Sequence, residues 1–166
     1  MIQKRIEKRR LENSNLRKAI DIILDDGNSF LSENFKAFDI SNYTYNMNVA
    51  VEELGLDEDL INQLIEDYII QILKSKLSFY NYIDKLKHSK VNGKVLNFDD
   101  IHNLAHKNLG VARNLRIEDA QKLLSVLLKD TDLEYMQKCT KALEFSAIRL
   151  NPLCAYETLK LIKNSL

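Results

Sequence analysis

Four glycines and one proline are all that interrupt this chain of 166 residues. That scarcity constrains the fold more than any other feature. Turns depend on these residue types, so a chain nearly without them is built from a few long elements, and long elements are helices. Hydrophobic residues make up 45% of the sequence, enough for a true core and too many for a disordered chain. The length suits one domain with an added arm.

Apolar spacing sets the elements. Ile2 and Ile6, then Leu16, Ile20, Ile23 and Leu24, predict a helix over 2–25 that Asp26-Gly27-Asn28-Ser29 ends. Residues 27–46 show no period and are rich in Asn, Ser, Phe and Tyr. They predict an irregular connection held down by its aromatics, and Tyr43 and Tyr45 fit that anchoring better than stacking on bases. A short helix over 47–54 closes on Gly55, and Asp57 caps a long one that runs to about His88. Asn92-Gly93 marks the next turn. Helices then follow over 98–114, 118–129 and 132–149, the last opened by the capping box Thr131-Asp132-Leu133-Glu134. Asn151-Pro152 opens a final helix to about 164. No strand pattern occurs. The expectation is an all-α, antiparallel bundle over 47–166 with a helical arm and connection over 1–46.

Charge and cysteines exclude several classes. Lys plus Arg and Asp plus Glu both number 24, so no overall charge recruits nucleic acid or an acidic membrane. The basic cluster from Lys4 to Arg10 is interrupted by Glu7 and followed by Glu12, which fits a solvated helix face. It has no apolar core of a signal peptide, and no run approaches the ~20 apolar residues that span a bilayer. A soluble, cytoplasmic protein is expected. Cys139 and Cys154 lack metal-type spacing and read as two reduced thiols, with a disulfide as the alternative.

The chemistry concentrates in Ala105-His106-Lys107-Asn108-Leu109-Gly110-Val111-Ala112-Arg113-Asn114-Leu115-Arg116-Ile117. Glycine inside a helix costs about 1 kcal/mol relative to alanine, and a helix carries that cost where something approaches its backbone. At ~100° per residue, the side opposite His106 carries Ile101, Leu104, Asn108, Val111 and Leu115. The His106 side carries Asp99, His102, Asn103, Leu109, Gly110 and Arg113. The phase therefore predicts an exposed imidazole beside a clearing at Gly110, with an apolar contact at Leu109 and a cation at Arg113. An imidazole is a competent nucleophile near neutral pH and can take a phosphoryl group to form phosphohistidine.

Ala-His-Lys-x-x-Gly-x-Ala-x-Asn-Leu-Arg-Ile, followed by Glu118-Asp119, resembles the histidine-containing phosphotransfer (HPt) domain of bacterial two-component phosphorelays. The resemblance covers residues 57–150 by helix order and 105–119 by motif. It implies a four-helix bundle, here with extra N-terminal and C-terminal helices. It implies a signal-transduction phosphoprotein in which His106 accepts and donates phosphoryl groups and Gly110 clears the docking face. Its partners would be a response-regulator receiver domain or a sensor histidine kinase. No cofactor is implied for this chain; Mg²⁺ would sit on the partner receiver. The family has leucine two after the histidine and lysine three after it, where this chain has Asn108 and Leu109. Asn108 falls on the core side and needs hydrogen-bond partners. Lys107 and Arg113 are the cations left to hold a phosphoryl group, and Arg113 lies closer in phase.

Other readings use the same residues. An HPt-like module that docks a receiver or a partner helix without carrying phosphate would keep Gly110 and tolerate Leu109. An aspartyl-phosphate phosphatase would use Asp100 and Asn103, one turn apart, to orient water. His102 and His106 have metal-compatible i,i+4 spacing but no third ligand, so no metal is expected. His88, near a helix C-terminus, complements the helix dipole.

Overall fold

The computed structural model describes residues 2–165, with side chains described from Glu12 onward. These residues form seven α-helices, one 3₁₀ turn and no strand. The helices are α1 (Ile2–Asn34), α2 (Met47–Leu54), α3 (Glu58–Val91), α4 (Asp99–Asn114), α5 (Glu118–Lys129), α6 (Leu133–Leu150) and α7 (Pro152–Asn164). The all-α class follows as expected. The Ile2 and Ile6 side chains and the basic cluster at 4–10 lie outside the described side chains.

Asp57 and Asn151, seen in sequence as caps, are caps in space, whereas α6 is capped by Asp132 rather than by Thr131 of the expected capping box. Asp57 Oδ1 accepts from Leu60 N at 2.8 Å, and Asn151 Oδ1 accepts from Cys154 N at 3.1 Å ahead of Pro152. Gly55 closes α2 at φ 64°. Helices α3 to α6 pack each on the next, and α6 returns to α3. The core between them includes Tyr68, Phe79, Ile83, Leu123, Leu127 and Leu143, all 2% exposed or less. Helix α7 lies on α3 and α6, α2 lies on α3, and α1 lies on α6.

Two expectations are corrected. Helix α1 does not end at Asp26-Gly27-Asn28-Ser29 but continues to Asn34. Gly27 is buried where α1 crosses α6, and a Cβ there would stand 2.5 Å from the Phe145 ring. The glycine serves a close helix crossing, and packing outweighs its poor helix propensity. The irregular connection is accordingly shorter than 27–46. The alternative of a disulfide also falls, because Cys139 and Cys154 are both free.

The remaining connection is tied down by its aromatics as predicted. Tyr45 Oη donates to Leu115 O at 2.8 Å, and Tyr43 Oη donates to Arg116 O at 3.3 Å and accepts from Glu118 N at 3.1 Å. These bonds clasp the α4–α5 turn. That turn is a Schellman closure without glycine: Arg116 takes φ 60°, Ile117 N donates to Ala112 O, and Arg116 N donates to Arg113 O.

Candidate functional site

Helix α4 begins where Asn97 Oδ1 accepts from Asp99 N at 2.8 Å, with Asp99 and Asp100 in its first turn. Its buried residues are Ile101, Ala105, Asn108, Leu109 and Ala112. Asn103, His106, Lys107, Gly110 and Arg113 are exposed, and His102 is half-buried. The structure therefore brings His106, Gly110 and Arg113 onto one open face, with Asn103 and Lys107 beside them.

Leu109 is a correction. It was expected on the open face and is 1% exposed. The buried arc centres roughly 60° from the position opposite His106, over Ala105 and Ala112. Leu104 and Val111, expected in the apolar seam, are half-buried. The cause is that α4 packs against both α3 and α5. A helix with two neighbours buries a wider arc than a helix with one, and Leu109 falls inside it. The exposed arc centres on Gly110 and Asn103, with His106 and Arg113 toward one edge.

Asn108 finds the partners its burial demands. Its Nδ2 donates to Leu104 O at 2.9 Å and to Ser75 Oγ at 3.3 Å. Its Oδ1 accepts from Gln71 Nε2 at 3.0 Å. The amide locks α4 to α3 on the side of the helix away from His106. His102 is turned inward, its ring stacked on Phe98 at 5.6 Å with Nε2 buried and unpartnered. Among the described residues no group of three or more His, Cys, Asp or Glu could hold a metal ion.

Gly110 decides what this face can do. A Cβ placed on it would meet nothing within 4 Å. Nothing inside the chain requires a glycine there, unlike Gly27. Comparison with known families, characterised proteins and solved structures finds no match.

The side chains of His106, Lys107 and Arg113 make no hydrogen bond or ion pair among the described residues. Two cations and an imidazole thus stand free around an unfilled position. Next to Arg113, a cleft of about 760 Å³ runs along α5, lined also by Phe38, Lys122, Ser125, Val126 and Lys129. Three cations and one acid, Asp130, line it, and Arg113 is the residue it shares with the open face of α4.

Sequence reasoning missed one buried feature close by. Asp119, which follows the His106 motif in sequence, is 2% exposed and accepts from Arg149 Nη2 at 3.0 Å and from Ala120 N at 2.8 Å. Burial pushes its carboxyl up, against the pull of Arg149. Arg149 also donates to the backbone oxygens of Ile40 and Ser41, tying the 39–46 connection to α6. Thirty residues separate the pair, and no local pattern announces it. For the membrane question, no helix among the described residues is long and apolar enough to cross a bilayer.

Proposed function

We propose that this chain is a histidine phosphotransfer protein of a two-component phosphorelay, with α3 to α6 as an HPt-like four-helix bundle and His106 as the phosphoryl acceptor. The observation that carries the proposal is Gly110: an exposed helical glycine with no internal use, one turn from an exposed and unpartnered histidine. A partner's active site can close over such a clearing and reach the imidazole.

In the transfer, an imidazole nitrogen attacks the phosphorus of an aspartyl phosphate on the partner. The N–P bond forms as the P–O bond breaks, the carboxylate leaves with the electron pair, and the ring's other N–H proton passes to solvent. The transition state is loose, so positioning and nearby cations dominate. Arg113 and Lys107 are the unpaired cations beside His106 on α4, and the partner would bring its own Mg²⁺. Asn103 and Gly110 would lie under the partner.

The burial of Leu109 favours a second reading, a docking module that never carries phosphate, because the position that bears lysine in HPt domains offers no charge here. One experiment separates the two. The protein is incubated with receiver domains of its source organism preloaded with labelled acetyl phosphate. Carriage predicts an acid-labile label on wild type and none on His106→Gln. Binding of a receiver without any label on His106 would leave only the docking module.

A further inference from the structure

The neutral net charge of this chain conceals two opposed stretches. Its first turns carry Lys4, Arg5, Lys8, Arg9 and Arg10 against Glu7 and Glu12, with Ile2 and Ile6 one helical turn apart. Residues 47–73 contain no Lys or Arg, and acids recur there from Glu52 to Asp67. All of those acids are exposed. The basic stretch opens α1, a helix of 33 residues that is about 50 Å long at 1.5 Å per residue. From Glu12 to Ala19 its side chains are exposed, except for half-buried Leu16. Leu16 and Ile20 line a cleft together with Pro152 and Leu153 at the α6–α7 turn.

On the bundle, α3 and α7 leave an apolar groove of about 450 Å³ between Ile70, Leu77, Leu161 and Ile162. Leu161 is 69% exposed and Leu77 42%, large values for leucines that face each other across a groove. Glu66 and Asp67 lie one helical turn before Ile70, and Glu157 lies one turn before Leu161; Lys74 lies along the groove itself. An apolar groove headed by acids fits an amphipathic helix with cations beside its apolar residues.

We infer that the occupant is the α1 arm of a second copy of this chain. Both halves of the complementarity belong to one sequence. A two-fold pairing therefore uses each arm and each groove once and closes on itself. Such a dimer brings the basic stretch of one copy to the acids of the other without a foreign partner. The surface is distinct from the His106 face, and the inference does not depend on phosphotransfer.

Sedimentation velocity of the full chain tests it. At 50 μM and 50 mM salt the expected species has twice the 19.3 kDa chain mass, and 0.5 M salt shifts it toward monomer because the charge pairing is screened. Arg9→Glu/Arg10→Glu and Glu66→Lys/Asp67→Lys are each expected to sediment as monomers with unchanged helical circular dichroism. Mixing those two variants is expected to restore a dimer, through one arm–groove pair of wild-type charge and one of reversed charge. A wild-type monomer in low salt overturns the proposal. So does a dimer indifferent to both double substitutions, or a mixture that stays monomeric.

Discussion

At the scale of single residues, two helical glycines show how one residue type answers opposite needs. Gly27 sits under the Phe145 ring, where any side chain collides, while Gly110 faces open space. Gly110→Ala is expected to stabilise the fold by about 0.5–1 kcal/mol, since a helix interior prefers alanine and nothing obstructs it. Gly27→Ala is expected to destabilise by roughly 1–3 kcal/mol, because the ring must shift against a packed core. Urea unfolding of the two variants measures both. A stabilised Gly110→Ala that also binds a receiver more weakly ties the clearing to docking. A destabilised one would show that Gly110 has an internal role after all.

At the scale of elements, the buried amide of Asn108 fixes the setting of α4, and with it the direction in which His106 points. Asn108→Ala leaves Gln71 and Ser75 without their shared partner and is expected to cost about 2–3 kcal/mol. Combined with Gln71→Ala the loss should fall short of the sum of the two single losses by 0.5 kcal/mol or more, as for any pair sharing a hydrogen bond. Strict additivity would mean that the contact contributes nothing. This helix also shows what the sequence made legible. Caps at Asp57 and Asn151 are local chemistry, so those helix starts could be read directly, while the cap of α6 falls at Asp132, one residue past Thr131 of the expected box. The exposure of His106 and Gly110 followed from phase. The fate of Leu109 did not, because phase gives relative directions around a helix but not how many neighbours it has. The length of α1 was misread for a related reason. Gly27 looks like a helix stop in one dimension and is a helix crossing in three. The Asp119–Arg149 pair, thirty residues apart, had no local signal at all.

At the scale of the whole molecule, the core's stability carries a pH dependence to which one buried thiol contributes. Cys139 is fully buried, and burial pushes it from the ordinary 9.0 up to about 12. Between these values the unfolded chain has lost a proton that the folded chain keeps. Unfolding therefore releases a proton and becomes more favourable as pH rises. The contribution is intact below pH 9 and is lost progressively up to about 12, by as much as roughly 4 kcal/mol at 1.4 kcal/mol per unit. Tyr43 and Tyr80, pushed by burial from 10.0 to about 12, add the same sign of effect above pH 10. Burial also raises the Cys154 thiol from its ordinary 9.0, so between pH 9 and 10 the share of Cys139 is the difference between the wild type and a variant lacking that thiol. Urea unfolding across that interval is expected to show wild-type stability falling more steeply than that of Cys139→Ala, whatever the variant's absolute stability. Equal slopes in the two proteins would show that the buried thiol is not what couples this core to pH. In the folded wild type at neutral pH, a disulfide reagent should accordingly modify half-buried Cys154 and leave Cys139 untouched until the bundle opens.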